Sequence, residues 1–240
     1  MKKSPEKIAV MYLKNCHGYN VGNANCYLDD LIKICKAKTF RDIARSFLHD
    51  DEDFPPDWAK TLEYFFKAEA AVDTAVAFTK NFLERNLDVD PKFFYHTLRW
   101  GNRFKKMIYL QVAEIYDIGG NGVQADAQKA LDYFRKVDEY GDFGYEWIFF
   151  RIVKTYREGK GNVKPDGYKL IEYLMQKLEQ ENDFAKDFPE IILFHIAKTY
   201  EEGCGALQAD MSKALEFYRE AAALGIDDAK AKLAGLTEIF

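Results

Sequence analysis

The sequence predicts an all-α fold, an α/α superhelix (solenoid) of antiparallel helix pairs with an N-terminal helical cap. Tyr116, Tyr156 and Tyr200 each begin the same pattern of residues, at offsets of 40 and 44 positions. The apolar residues around that pattern follow the i, i+3, i+4 spacing of an amphipathic helix. The 240 residues include only 6 prolines, which leaves room for long uninterrupted helices.

The recurring pattern has the same parts in each of its copies, which we name the Tyr116, Tyr156 and Tyr200 copies. A glycine-rich turn follows each anchor tyrosine, with the pairs Gly120 and Gly122, Gly159 and Gly161, and Gly203 and Gly205. An aspartate comes ten residues after each anchor, at Asp126, Asp166 and Asp210. A lysine and then a hydrophobic pair follow: Lys129, Tyr133 and Phe134; Lys169, Tyr173 and Leu174; Lys213, Phe217 and Tyr218.

Each part of the pattern has a physical role in a helix pair. The residues before an anchor predict a first helix with one buried stripe, as in Ile192, Ile196, Ala197 and Tyr200. Glycines supply the positive φ that ends this helix and turns the chain.

The aspartate then stands where a second helix needs an N-cap. In the Tyr200 copy the predicted apolar face of that helix is Met211, Ala214, Leu215 and Tyr218. Because the link is short, the two helices are antiparallel neighbours, and pairs must stack to bury their remaining faces.

The pattern resembles the Sel-one-like repeat family, a relative of the tetratricopeptide repeat. The most similar copy is YEEGCGALQADMSKALEFYREAAALG, with Lys213 and Ala214 at the family's lysine–alanine pair. All copies have one residue more in the turn than the family pattern, and the Tyr156 copy has Leu170 in place of the alanine. The resemblance covers 104–240 and implies a solenoid that serves as a scaffold or adaptor for proteins.

The same offsets also predict a copy upstream. Applied to Phe47, they reach Asp57, Lys60, Tyr64 and Phe65, while Ala44 matches Ala113 and Ala197. In this Phe47 copy, HDDEDFPP replaces the glycine turn. Asp57 and Asp126 are 69 residues apart, about two periods, so we expect a degenerate unit between them with helices near 70–87 and 91–102.

The predicted organisation has three parts that form one continuous solenoid. Residues 1–40 form an N-terminal helical cap, 41–102 are degenerate helical repeats, and 103–240 hold the clear repeats and a capping helix over Asp227–Ile239. The alternative is that residues 1–100 form a separate helical domain.

Composition narrows the functional class. A net charge of −5 from 34 basic and 39 acidic residues argues against nucleic-acid binding, which needs a concentrated basic surface. No run of 18 apolar residues is present, and the run Ile8–Leu13 is too short for a signal peptide, so we expect no membrane span and a cytoplasmic location. Four cysteines are too few for a disulfide framework.

Few residues in the sequence are grouped in a way that could bind a metal or catalyse a reaction, and each grouping is weak evidence. Cys16, His17, Cys26 and Cys35 could bind zinc, but the cysteines are separated by about ten residues and lack a close pair. The acidic run 49–53 lacks the glycine of a calcium loop. Cys204 lies in a turn that we expect to be exposed, without a nearby base. We therefore predict neither a cofactor nor a metal.

The first helices offer a candidate partner-binding stripe. If the anchor tyrosines face the core, positions two, five, six and nine before them point elsewhere, toward the concave side. The stripe is centred on Trp147, Arg151 and His195, because exposed Trp and Arg favour binding hot spots. Its other members are Gln111, Phe150, Lys154, Phe194 and Lys198. The alternative is that the aromatic members pack against neighbouring first helices.

The function that the sequence favours is a non-enzymatic scaffold or adaptor that holds a protein partner, either as a monomer or in the partner-bound complex. An inhibitor or immunity protein of bacterial type would have the same features. The alternative is a metal-dependent or cysteine-based enzyme that uses the N-terminal Cys/His region. Function inferred from fold is an analogy.

Overall fold

The fold is all-α. The computed structural model describes residues 36–48, 56–85, 91–140, 146–180 and 186–237, and within these ranges there is no strand beyond three isolated bridges. The predicted cap over 1–40 and the segment HDDEDFPP over 49–56 lie almost wholly outside the described residues. Outside them as well are Cys16, His17, Cys26 and Cys35. The chain divides into two compact units, Met1–Ala125 and Asp126–Phe240. None of the described helices combines the length and apolar character that a membrane crossing needs.

The N-terminal unit contains three described helices: α1 over 36–46, α2 over Trp58–Arg85 and α3 over Pro91–Ile118. Helices α2 and α3 pack along each other. The core between them includes the fully buried Phe65, Ala68 and Val72 of α2 and Ile108 and Val112 of α3.

The C-terminal unit is a series of shorter helices in which each described helix packs on the next: α4 Ala127–Asp138, α5 Glu146–Glu158, α6 Gly167–Glu179, α7 Pro189–Glu202, α8 Met211–Ala223 and α9 Asp227–Thr237. Helix α9 confirms the C-terminal helix as far as Thr237, beyond which the structure gives no description.

The predicted aspartate caps are confirmed at all three clear copies. Asp126, Asp166 and Asp210 have extended backbone, and each carboxylate accepts the backbone N–H three residues later at 3.1 Å. The cap satisfies one of the amides that a helix start leaves without an intrahelical partner. The start of each second helix in the clear copies is therefore predicted correctly from its aspartate.

The turns are confirmed, but one glycine pairing is wrong. The bridges Lys160↔Val163 and Cys204↔Leu207 align with Gly120↔Val123. The residues that match Gly159 and Gly161 are therefore Gly119 (φ 68°) and Asn121 (φ 46°), one position earlier than the predicted Gly120 and Gly122. Asparagine tolerates the left-handed region, so Asn121 occupies a position that the glycine pattern did not reveal.

The upstream Phe47 copy has the same local geometry as the clear copies. The Asp57 amide donates to the Phe47 carbonyl at 3.0 Å, as the Asp166 amide does to Tyr156 at 2.8 Å. The Asp57 carboxylate accepts the Lys60 N–H at 3.0 Å. Ala44 is fully buried, as the match with the later alanines predicts.

The prediction of separate helices near 70–87 and 91–102 is wrong. The Trp58 amide, at the start of α2, donates to the carbonyl of Asn121 in the turn of the Tyr116 copy at 3.0 Å. The Phe47 and Tyr116 copies are therefore direct neighbours. The extra residues between them lengthen both helices instead, so that α2 and α3 each have 28 residues where α5 and α6 have 13. Helix α2 continues because it contains neither glycine nor proline.

Similar turn contacts join the repeats of the C-terminal unit. The Gly167 amide at the start of α6 donates to the carbonyl of Cys204 in the next turn at 3.2 Å. The Asn162 side chain donates to the carboxylate of Asp126 at 3.0 Å and accepts the Gln128 amide at 3.2 Å. The Asn162 bond is the largest cause of the lowered pKa of Asp126. Each turn thus supplies further hydrogen-bond partners to the start of the second helix in the copy before it.

Most of the predicted core is confirmed. Ile192, Ile196 and Ala197 are fully buried, and the Tyr200 ring stacks on Phe217 with centroids 6.0 Å apart. The prediction that Met211 lies on the apolar face is wrong, since its side chain is 43% exposed. Met211 occupies the first position of α8, where it borders an open groove of about 530 Å³.

A buried ion pair joins α4 to α6. The Lys177 ammonium lies 2.7 Å from the carboxylate of Asp138, and its side chain is 2% exposed. Tyr173 donates to the same carboxylate at 2.9 Å, and burial followed by the charge of Asp138 raises the pKa of this tyrosine. Removing one member would leave the other as an uncompensated buried charge.

The first prediction concerns the close approach of turns. A Cβ at Gly205, where φ is +57°, would lie 2.3 Å from the Pro165 carbonyl oxygen. We expect Gly205→Ala to lower the free energy of unfolding by about 2 kcal/mol or more, because backbone strain and the clash add. The control Gly235→Ala is in open space on a helix and should not lower it. Equal values from urea denaturation of both variants would contradict the turn packing.

The second prediction concerns the buried ion pair. We expect Lys177→Met to cost about 3 kcal/mol of unfolding free energy, because Asp138 keeps a buried charge without its partner. The control Lys230→Met removes the exposed pair with Asp227 and should leave denaturant unfolding unchanged. A loss below about 1 kcal/mol for Lys177→Met would show that the pair is solvated in solution.

Candidate protein-binding surface

Seven of the eight stripe residues lie on α5 and α7, which we call the α5–α7 surface: Trp147, Phe150, Arg151 and Lys154 on α5, and Phe194, His195 and Lys198 on α7. Gln111 lies on α3, where its Nε2 donates to Glu114 Oε2 at 3.0 Å. Gln111 belongs to the N-terminal unit, and its place in a shared binding surface stays a prediction.

Two side chains of α5 are held by Phe134 of α4. The Trp147 ring meets Phe134 edge to face at 5.9 Å, and the Arg151 guanidinium lies 5.7 Å from the centroid of the same ring. Trp147 nevertheless remains 43% exposed. Its indole is therefore fixed on one side by packing and open to solvent on the other.

The neighbouring turn of α5 presents a second exposed ring. Phe150 is 44% exposed and packs edge to face on Phe149 at 5.3 Å. It also meets the imidazole of His195 on α7 at 5.9 Å. This contact brings the Tyr156 and Tyr200 copies together, so α5 and α7 contribute to one surface.

His195 is partly buried among aromatic rings and beside two cations. Its pKa is lowered to about 4, by burial first and then by the charges of Arg157 and Lys198. The imidazole is therefore neutral near pH 7. Its Nδ1 lies 3.4 Å from Nη2 of Arg157, which can only donate, so the ring proton is assigned to Nε2.

The two lysines of the surface lie at its edge. The Lys154 ammonium lies 3.8 Å from Glu158, and the Lys198 ammonium lies 3.7 Å from Glu202. Both are i, i+4 pairs with exposed partners, which contribute little to stability. Both ammonium groups can therefore exchange these weak ion pairs for contacts with a partner.

Arg157 is the residue of this region that the sequence did not identify. It follows the anchor Tyr156 directly, a position outside the predicted stripe, yet its guanidinium reaches α7. Its Nη2 donates to the His195 carbonyl at 3.4 Å and to Thr199 Oγ1 at 3.2 Å. No periodicity in the sequence predicts that the Arg157 side chain contacts α7.

The only cysteine in the described ranges has a structural setting. Cys204 is partly buried rather than exposed, which corrects the expectation, and its thiol donates to the carbonyl of Arg157 at 3.3 Å. Burial raises the pKa of this thiol. Within the described ranges, no three His, Cys, Asp or Glu side chains come together as metal ligands. The zinc hypothesis concerns residues outside these ranges and stays a prediction.

Among the comparisons with known proteins, only the one with solved structures finds similarity. No protein-family model matches the chain, and neither does any curated protein. A protective antigen of uropathogenic Escherichia coli strains that displays an SLR fold is 19% identical with a TM-score of 0.38, over 97% of this chain and 48% of that one. A Sel1 repeat protein from Oxalobacter formigenes is 16% identical with a TM-score of 0.37, over 97% of this chain and 64% of that one.

The chain thus spans about half the length of the first solved structure and 64% of the second. Its own turns and caps carry the fold assignment. The anchor, the turn with positive φ, the aspartate cap and a hydrophobic pair whose second member is buried recur as a helix-pair repeat that resembles the Sel-one-like repeat.

The third prediction concerns the thiol of Cys204. Because burial raises its pKa, less thiolate is present at pH 8 than for a free cysteine. We expect iodoacetamide to alkylate Cys204 at least ten-fold more slowly in the native protein than in urea, measured by mass spectrometry of its peptide. A native rate equal to or faster than the unfolded rate would mean that the thiol is activated.

Proposed function

We propose that this chain is a non-catalytic protein-interaction scaffold that holds a protein partner on the α5–α7 surface. The observation that carries the proposal is the pair Trp147 and Phe150, two large aromatic side chains that are 43% and 44% exposed. They are three residues apart on one helix and therefore project from the same side.

The packing beneath these rings supports a binding role. Trp147 lies against Phe134, and Phe150 lies against Phe149 and His195, so that neither ring has to be ordered when a partner arrives. A binding surface that is already ordered loses less conformational entropy on association. Exposed tryptophan beside arginine is the composition typical of hot spots, and Arg151 is held next to Trp147 by the same Phe134 ring.

The edge of the surface supplies polar contacts. Lys154 and Lys198 are partly or fully exposed and lie on adjacent first helices. An apolar centre with a charged rim is the usual anatomy of a protein interface. We propose that the partner covers Trp147 and Phe150 and makes its polar contacts with these lysines.

The chain would act as an adaptor, or as an inhibitor or immunity protein that neutralises another protein by binding it. We propose that it works in the cytoplasm, as a monomer until the partner binds. Both roles require the same surface and no bound cofactor. The identity of the captured partner distinguishes them.

The fourth prediction tests the surface directly. We expect Trp147→Ala with Phe150→Ala to weaken partner binding at least thirty-fold, because the loss of even one hot spot of about 2 kcal/mol corresponds to that factor. The matched control is Met175→Ala, an apolar side chain of α6 that is 39% exposed. The measurement is quantitative affinity capture from native extract, with circular dichroism of each variant.

A partner that is retained by wild type and Met175→Ala but lost by the double variant supports the proposal. Equal retention by all three proteins would contradict it. If the double variant loses helical content, Trp147→Phe with Phe150→Leu keeps apolar packing and tests the same surface.

A further inference from the structure

Among the residues that the structure describes, the hydrogen-bond partners of the Arg157 guanidinium are all neutral. Its Nη2 approaches His195 Nδ1 at 3.4 Å, the His195 carbonyl at 3.4 Å and Thr199 Oγ1 at 3.2 Å. All three are at or beyond the long end of ordinary N–H···O distances. One nitrogen with two hydrogens thus serves three acceptors weakly.

The rest of the guanidinium makes no hydrogen bond with the residues that the structure describes. Nε is buried without a partner. The bonds of Arg157 all use Nη2, so Nη1 is also available, and none of its partners is a carboxylate. A partly buried cation with only neutral partners is costly unless an anion completes its environment.

Charged groups of both signs lie near Arg157, since Glu201 and Glu202 act together with Arg157 on the pKa of Tyr218. The charges of Arg157 and Lys198 both lower the pKa of His195, after the effect of burial. The nearby glutamates each lie next to a lysine: Glu158 next to Lys154, Glu202 next to Lys198, and Glu201 next to Lys232. A single carboxylate that reached Arg157 would pair with a guanidinium that makes no ion pair with the described residues, while these glutamates limit how much negative charge the position can hold.

We propose that the guanidinium of Arg157, between α5 and α7, is a carboxylate-binding subsite that takes one acidic side chain of the protein partner. The inference rests on the proposed function, since it assigns the chemistry of the partner at the same surface. The partner segment would place its carboxylate on Nη1 of Arg157 and an apolar group on Phe150, whose ring is 5.9 Å from His195.

The charge of the site favours a carboxylate over a phosphate. Only one guanidinium is available, and the carboxylates of Glu158 and Glu202 at the edge would repel a dianion. A carboxylate needs a single planar cation with adjacent N–H groups, which is the geometry that arginine offers.

The experiment uses the full chain and acetate as the probe, with neutral acetamide as its isosteric control. Imidazole proton resonances are followed by NMR at pH 7 and constant ionic strength. His17, His49 and His96 serve as internal references. We expect a saturable shift of the His195 resonance with acetate, in the millimolar range of a single ion contact, and none with acetamide.

The variants separate the guanidinium from general effects. Arg157→Gln should weaken the acetate response at least ten-fold. Arg157→Lys should retain part of it, because a cation remains. The matched control is Arg135→Gln, another partly buried arginine, which donates to the Tyr156 hydroxyl at 3.1 Å. It should leave the response unchanged.

Four results would overturn the subsite. They are a response equal for acetate and acetamide, a response that survives in Arg157→Gln, a response shared by all histidines, and tighter binding of inorganic phosphate. Failure of the proposed function is distinguishable, because acetate would then bind at Arg157 while loss of Trp147 and Phe150 left partner capture intact.

Discussion

The repeats depend on the contact between each turn and the start of the second helix one unit earlier. A helix start has amides without an intrahelical partner, and one aspartate cap satisfies only part of them. The next turn supplies a further partner, through the Asn121 carbonyl to Trp58 in one unit and the Cys204 carbonyl to Gly167 in the other. Because a backbone carbonyl must come this close, the turn tolerates little side-chain bulk at Gly205.

This constraint explains both the irregular spacing and the position of the candidate surface. Units that meet at their turns can differ in helix length elsewhere, so the Phe47 and Tyr116 copies are neighbours although 28-residue helices connect them. In the C-terminal unit the same stacking sets α5 beside α7. Phe150 then meets His195, and Arg157 reaches Thr199. The surface is a consequence of repeat stacking rather than of any local motif.

Much of the fold could be predicted from single residues with strong local roles. Asp126, Asp166, Asp210 and Asp57 cap helices as expected, because a cap depends on a few adjacent atoms. Non-local geometry could not be predicted. Spacing alone allowed either an extra unit or longer helices after Asp57, and it gave no sign that Arg157 would cross to α7 without a carboxylate partner. The candidate surface could be predicted as a stripe of residues. Which of its rings stay exposed could not, because exposure depends on packing against Phe134 and Phe149.

The most direct test of turn stacking is amide hydrogen exchange at the first position of those second helices that the carbonyl of a neighbouring turn reaches. Trp58 and Gly167 occupy that position and donate to a neighbouring turn. Met211 occupies the same position in α8, and its amide makes no hydrogen bond within the described part of the chain. We predict that the amides of Trp58 and Gly167 are protected at least a hundred-fold more than that of Met211. Equally fast exchange at all three would contradict the turn contact as the interaction that holds the repeats together.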